Sequence, residues 1–432
     1  MQTHFSPAQL ANPQVAETDR ILRACVHCGF CTATCPTYLL TGDELDGPRG
    51  RIYLAKDMLE KDRPADATTV KHLDRCLTCL ACMTTCPSGV HYMHLVDHAR
   101  QHIERTYRRP LGERALRALL AFVLPSTSRF RAALRLAALA RPLRGVLPRR
   151  LQGLIDTAVA ARRKPPDEAK ASVSACVGSN AARIKRVALL PGCVQPALRP
   201  DINEAAIRLL NRCGVDVIVA PGTGCCGALV HHLGREHDSS AQAKADIDAW
   251  TREIETRGLD AILVTASGCG TMLKDYGFLF RNDPAYAAKA ARVSSLARDV
   301  TEVLAHVMTS PSEPSRAALG VAYHSPCSLQ HGQKLHEVAP DLLRKAGFTV
   351  LDIPESHICC GSAGTYSLLQ PEMSTQLRER KARNIESAQP DVIATGNIGC
   401  ITQIEQGTRI PIVHTVQLLD WASGGPRPAQ LD

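Results

Sequence analysis

The sequence predicts a multidomain α+β protein: a helical N-terminal domain organised by two cysteine runs, a basic helical linker, and two copies of one α/β unit. Three observations carry this expectation. Residues 25–36 and 76–87 contain four cysteines each at one shared spacing. The stretch Arg105–Lys164 holds fifteen Lys or Arg against two acids, so +13 of charge sits in sixty residues and the rest of the chain is slightly negative. Beyond residue 186, one order of strands, helices and cysteines occurs twice. A length of 432 residues suits two to four domains, and 45% hydrophobic with 22% charged residues is a globular composition. The longest apolar run, Ala118 to Leu124, ends at Pro125 after seven residues, far short of the roughly 20 a membrane span needs. The N-terminus shows no basic region followed by an apolar core, so a cytoplasmic location is expected. Disulfides are rare there, and clustered cysteines bind metal or do redox work.

The first element is the pair CVHCGFCTATCP and CLTCLACMTTCP. Both follow C-x2-C-x2-C-x3-C-P, the bacterial ferredoxin run, in which three thiolates wrap one [4Fe-4S] cluster and the fourth reaches the other. Cluster 1 is assigned Cys25, Cys28, Cys31 and Cys86; cluster 2 is assigned Cys76, Cys79, Cys82 and Cys35. Zinc sites usually pair two hooks per ion rather than tripling them. About 40 residues separate the runs, including GPRGRIYLAKDMLEK, which reads as a helix. An insert of that length resembles the helical ferredoxins of succinate dehydrogenase iron–sulfur subunits, so residues 1–105 are expected to form a helical ferredoxin-like domain with two [4Fe-4S] clusters. After Pro87, His91, His94, His98 and His102 recur along one helical face; they could hold a metal or relay protons near a quinone, but a surface stripe is the expected explanation, because the clusters already have their ligands.

The second element covers residues 106–185. Pro125, Pro142 and Pro148 divide its Arg-rich part into three helical pieces. Leu, Ala and Arg interleave as in an amphipathic helix. This suits either a helical linker or a surface that docks anionic headgroups or an acidic partner. Nucleic acid is not an expected partner, because the remaining chain is slightly acidic and only 4% of residues are aromatic.

The third element is the repeat, with units expected at 186–312 and 313–432. Cys193 is followed 32 residues later by Cys225-Cys226-Gly227 and then by Cys269; Cys327 is followed 32 residues later by Cys359-Cys360-Gly361 and then by Cys400. VALLPGC and VAYHSPC read as strands ending in cysteine loops, as do LDAILVTASGC and PDVIATGNIGC. IRLLNRCGVDVIVAP and PDLLRKAGFTVLDIP read as helix, glycine, strand. Such alternation predicts a parallel sheet, whose carboxyl-end loops bring the four cysteines of each repeat together. Cys213 aligns with Ala346 and is expected to be a small buried hydrophobe; Cys176, without a counterpart, is expected to be a linker thiol. Gly222, Gly224 and Gly227 satisfy G-x-G-x-x-G, but the second copy drops the first two and no acid follows at the right distance, so no dinucleotide site is expected. Adjacent cysteines diverge and can serve two metal atoms. An iron–sulfur or related metal site is the first reading of Cys193, Cys225, Cys226, Cys269, Cys327, Cys359, Cys360 and Cys400; a structural zinc and a thiol pair for disulfide chemistry stay open.

Together these residues resemble the iron–sulfur subunits of bacterial glycolate oxidases. CVHCGFCTATCPTYLLTGDELDGPRGRIYLAK, CLTCLACMTTCPSGV, YHSPCSLQHGQKL, CCGSAGTYSLLQPEMS and ATGNIGC carry the resemblance. It implies a ferredoxin-type domain followed by two cysteine-rich CCG domains. It also implies a non-catalytic electron-transfer subunit, with FAD-binding flavoprotein subunits oxidising glycolate to glyoxylate and electrons passing toward the quinone pool. Peripheral association with the inner membrane through Arg105–Lys164 would follow. Wider relatives with the same plan serve D-lactate or glycerol-3-phosphate dehydrogenases and heterodisulfide reductases, the alternative readings. In the last of these, the final element is CxxC; here Ala266 and Asn397 stand at its first positions, and Ser328 follows Cys327 where several relatives place His.

Overall fold

A computed structural model describes residues 1–139, 184–308 and 319–431. The N-terminal part is helical. Helices Pro13–Ala24, Pro48–Glu60, Ala67–Asp74 and Tyr92–Thr106 pack around Leu22, Ile52, Ala55, Met58, Leu73, Leu95, Val96 and Ile103. Local chemistry sets the starts: Asn12 and Asp66 cap the orphan N–H groups of two helices, and Pro13 and Pro48 occupy a position where a missing N–H is harmless.

The histidines after Pro87 do not form a surface stripe. His98 and His102 are buried, and His91 and His94 are half-buried, because helix Tyr92–Thr106 is covered on several sides. His98 Nδ1 shares a hydrogen bond of 2.6 Å with the Thr18 hydroxyl, and His102 Nε2 lies 2.8 Å from the Arg63 carbonyl oxygen. His94 pairs with Asp275 at 2.9 Å and stacks on Phe278, both from the first α/β unit.

The basic segment continues as helices Leu111–Val123 and Thr127–Leu139, broken at Pro125. The third helical piece and Cys176 lie outside the described residues. Leu120, Leu124, Phe130 and Leu134 turn inward onto Val194, Ala197 and Leu198 of the first α/β unit and Leu368 and Leu369 of the second. Two of its arginines are buried: Arg109 and Arg117 both pair with Asp74 and Glu113.

Strands β1 (Arg186–Leu189), β2 (Asp216–Ile218), β3 (Ala261–Val264) and β4 (Ala297–Asp299) form a parallel sheet in the order β2-β1-β3-β4. Strands β5 (Gly320–His324), β6 (Thr349–Leu351), β7 (Val392–Thr395) and β8 (Ile412–His414) repeat it as β6-β5-β7-β8. Alternate residues face opposite sides of each sheet. Val187 and Leu189 point into a core shared by both units, while Ala188 and Leu190 face a separate core with Trp250 and Tyr276.

The shared core arises from an exchange. The helix after β4, Val300–Val307, packs on Val338–Lys345 of the second unit, and the helix after β8, Thr415–Ala422, packs on Asp201–Arg212 of the first. Asp420, 1% exposed, locks one of these contacts by pairing with Arg208 at 2.8 Å and with Arg212. Cys213 and Ala346 both lie in this core.

Candidate metal centres

The two ferredoxin-type loops share one backbone trace. The residues flanking the second cysteine of each run have left-handed φ: His27 (58°) and Gly29 (84°) in the first, Thr78 (54°) and Leu80 (64°) in the second. Three are not glycine, and each such residue stores roughly 1–2 kcal/mol of strain. A bound group that holds the loop offsets that cost. The Thr78 N–H donates to Cys76 Sγ at 3.4 Å.

Cys25, Cys28, Cys31 and Cys86 line one pocket, with Cys82 at its edge. Cys35, Cys76, Cys79 and Cys82 line another, together with Arg51, Thr37 and Tyr92. The fourth cysteine of each run thus reaches the other run's pocket. Burial and the adjacent Cys25 push the Cys31 thiol up to about 11, and burial pushes Cys79 and Cys82 well above the thiol range. Burial acts the same way on Cys76, but the Arg51 and Arg100 guanidiniums outweigh it and hold this thiol below its ordinary value. Buried thiols so close cannot ionise together without cations among them; iron atoms supply such charge, and the donor set fits a cubane cluster in each pocket.

Arg51, 2% exposed, organises the second pocket. Its Nε donates to the His72 carbonyl oxygen at 2.7 Å, Nη2 to the Thr37 hydroxyl at 2.9 Å, and Nη1 lies 3.8 Å from Cys35 Sγ. Asp46, fully buried, balances it and also holds His72 and Arg75, each at 2.8 Å.

In the α/β units the cysteine loops follow the carboxyl ends of the strands. The thiols touch in the order Cys193–Cys225–Cys226–Cys269 in the first and Cys327–Cys359–Cys360–Cys400 in the second; Cys327 and Cys359 sulfurs are 3.8 Å apart. Gly227 (φ 85°) and Gly361 (φ 89°) permit this approach, since a Cβ would lie 2.9 Å and 2.6 Å from the carbonyl oxygens of Ser239 and Ser374. Asn397, at the position of the missing cysteine, donates to Cys400 Sγ at 3.5 Å. The Ser328 and Ser267 hydroxyls share a 2.7 Å bond between the two units. Cys79 of the second ferredoxin-type pocket packs with Ile358 and Cys359, with Cys327 against the same cluster.

Comparison with known proteins agrees with this division. The 4Fe-4S dicluster domain family matches residues 21–90, and the cysteine-rich domain family matches residues 187–274 and 321–405. The chain is 45% identical to the glycolate oxidase iron-sulfur subunit of Escherichia coli strain K12, over 98% of this chain and 99% of that one. It belongs to the glycolate oxidase iron–sulfur subunit family. A second member of that family, the probable glycolate oxidase iron-sulfur subunit of Bacillus subtilis strain 168, is 30% identical over 93% of this chain and 94% of its own. Lactate utilization protein A of Bacillus licheniformis is 27% identical over 54% of this chain and 99% of its own length. The fold is shared with a hypothetical protein from Helicobacter pylori (TM-score 0.55, 9% identity, 97% of this chain and 74% of that one). The glycolate oxidase iron–sulfur subunit family thus places this chain in an oxidoreductase complex as an iron–sulfur component.

Three polar groups at the family's cysteine sites have no signal in the run spacings. His324 ends β5 beside Cys360 and Cys400. Lys381, 1% exposed, donates to the Glu355 carbonyl oxygen at 2.8 Å within electrostatic reach of Cys359, Cys360 and Cys400. Asp246, 1% exposed, accepts from the Gly224 N–H at 2.7 Å near Cys225. Alignment of the two repeats is the signal that exposes them, since Leu190 stands where His324 does.

Proposed function

We propose that this chain is the electron-transfer subunit of a complex that oxidises glycolate to glyoxylate. The observation that carries the reading is the near full-length likeness to the Escherichia coli subunit, combined with cysteine runs that each line a pocket completed by the other run. Cys25, Cys28, Cys31 and Cys86 would hold one [4Fe-4S] cluster, and Cys76, Cys79, Cys82 and Cys35 the other. The cysteines of the two α/β repeats would hold a further iron–sulfur cluster or zinc. Bound clusters supply one-electron carriage; the chain's own residues position them and set the charge around them. FAD-binding flavoprotein subunits would deliver the electrons, and the quinone pool would receive them.

Peripheral membrane association fits one further observation. Leu111, Leu119, Phe122, Leu136 and Leu139 are exposed on the two basic helices, with Arg129 stacked 4.1 Å from the Phe122 ring. Exposed apolar side chains beside arginines on these helices suit an anionic lipid interface. Among the described residues no helix is long and apolar enough to cross a membrane. Replacing Arg129, Arg131, Arg135 and Arg141 by Gln is expected to release the chain from the membrane fraction.

The test is glycolate-dependent dye reduction in extracts with and without this chain. Unchanged activity in the deletion strain overturns the reading. The likeness to lactate utilization protein A favours a 2-hydroxy acid such as lactate as second choice. Lactate-dependent reduction lost in the same strain, with glycolate activity intact, would establish it.

A further inference from the structure

His324 is 2% exposed, and among the described residues neither of its ring nitrogens has a hydrogen-bond partner. A buried imidazole left so is costly, and buried side chains of this kind nearly always have partners. The groups facing it are thiols: one ring nitrogen and the sulfurs of Cys360 and Cys400 all lie within 4.8 Å of one another. A tetrahedral ion with sulfur at about 2.3 Å and nitrogen at about 2.0 Å separates its ligands by roughly 3.5–3.8 Å, so about an ångström of closure completes the set. Thiolate with imidazole selects soft, tetrahedral divalent ions.

The surroundings suit such an ion. Asn397 donates to Cys400 Sγ at 3.5 Å, the kind of outer bond that orients a ligand. The buried Lys381, whose Nζ donates to the Glu355 carbonyl oxygen at 2.8 Å, lies within electrostatic reach of the thiols and favours their thiolate form, the form that binds metal. The first repeat differs at both places. Leu190 occupies the His324 position, three residues before the first cysteine, and Asp246 occupies the Lys381 position, seven residues after the serine that meets the Cys-Cys-Gly glycine.

We propose that His324, Cys360 and Cys400 hold one thiophilic divalent ion, zinc or ferrous iron, giving the second repeat a mixed nitrogen–sulfur centre that the first repeat cannot form. This deepens the reading of the α/β-repeat cysteines as metal ligands and rests on it.

The experiment uses the full chain purified anaerobically, as wild type and as His324→Gln, His324→Cys, Cys360→Ser and Cys400→Ser. Zinc and iron per chain are measured before and after dialysis against EDTA. X-ray absorption at the zinc edge, or Mössbauer spectroscopy for high-spin ferrous iron, reports the ligands and separates the two ions. The expected result is one ion that depends on the second repeat, beyond the iron of the ferredoxin-type clusters and any metal of the first repeat, with one nitrogen ligand in the wild-type spectrum. His324→Gln and both serine variants should lose it at least tenfold more readily, and His324→Cys should retain it with a sulfur-only spectrum. The EPR signals of the ferredoxin-type clusters serve as the check on folding, and the wild-type spectrum decides the matter alone where a variant fails that check. Loss in the serine variants with retention in His324→Gln, and no nitrogen ligand in wild type, overturns the role of His324 while leaving the metal reading standing. No additional ion in wild type, or full retention in both serine variants, overturns the metal reading itself.

Discussion

Gly234 of the first α/β unit packs against the backbone of the ferredoxin-type domain. Its φ is +81°, and a Cβ there would lie 2.5 Å from the Arg100 carbonyl oxygen and 3.0 Å from the carbonyl carbon. Arg100 in turn braces the second cysteine loop, donating to the Cys76 carbonyl oxygen and the Thr78 hydroxyl, both at 2.6 Å. Gly258 has a similar φ of +75° with nothing within 4 Å of a Cβ. Gly258→Ala therefore meets only the left-handed strain, about 1–2 kcal/mol. Gly234→Ala meets the same strain and must also move a backbone by about 0.9 Å, adding an overpacking cost of about 1–3 kcal/mol. At roughly 2–4 °C per kcal/mol, Gly234→Ala should lower the melting temperature about twice as far as Gly258→Ala. It alone should alter the EPR spectrum of the cluster beside Cys76. Thermal unfolding followed by circular dichroism, with EPR of the same anaerobic samples, makes the comparison. Equal shifts with unchanged spectra would refute the argument from close approach.

Asp97 and His231 join the same two units at 3.2 Å. Burial alone would raise Asp97, but the charge and hydrogen bond of His231 outweigh it and hold the carboxyl at about 2; His231 is raised, the Asp97 charge outweighing its burial. The Asp97 contribution, about 2 kcal/mol, is complete above its unfolded value near 4 and lost as pH falls toward 2. The His231 contribution is complete below about 6.5 and lost as pH rises through its raised value. Asp97→Asn should thus destabilise most between pH 4 and 6.5; a deficit in urea unfolding that is the same at pH 5.5 and 8.5 contradicts this. Arg51→Gln removes a cation 3.8 Å from Cys35 Sγ and should lower the midpoint of the neighbouring cluster by roughly 65–130 mV, taking about 1.5–3 kcal/mol for the charged bond and one electron. Arg51→Lys should move it less, and equal midpoints for the three proteins in EPR-monitored titrations would count against the role. His331→Ala deletes bonds to the Thr84 hydroxyl (2.8 Å) and the His357 carbonyl oxygen (3.2 Å), worth about 1–3 kcal/mol together. Amide exchange in Ala81–Thr85 should speed several-fold or more; unchanged exchange means the contact is incidental.

The cysteine runs were legible because ligand spacing is itself the chemistry: three thiolates within seven residues can wrap one cubane, and no packing argument competes. The strands were legible because β1, β3, β5 and β7 are short apolar runs leading into cysteine loops and the order occurs twice; β1 alternates between two cores, while Val321, Ala322 and Tyr323 of β5 all lie in one. The histidines of helix Tyr92–Thr106 were misread because i, i+7 spacing names a shared face without saying what covers it. His94 finds Asp275 at a separation of 181 residues, beyond any local pattern. His324 was missed because one histidine at the end of a strand has no period. Charge counting overstated the basic segment, since Arg109 and Arg117 are buried against Asp74 and Glu113.

Two stretches beside the repeat cysteines prove to be joints rather than ligands. In the run Leu329–Gln333, His331 reaches Thr84, and a Cβ on Gly332 would lie 2.8 Å from the Thr271 hydroxyl and 3.4 Å from Leu80. Gln333 donates to the Ser267 carbonyl oxygen at 2.9 Å. Three of these five residues therefore meet the second ferredoxin-type loop or the first α/β unit while belonging to the second. In the run Ser362–Tyr366, the Tyr366 hydroxyl donates to the Arg75 carbonyl oxygen at 3.1 Å, one residue before Cys76. Both joints bear on the loop that carries Cys79, the thiol that packs beside Cys359. A carrier that hands single electrons onward needs its donor and acceptor groups held at a constant separation, and cysteines alone cannot ensure that across domains. The residues around them can.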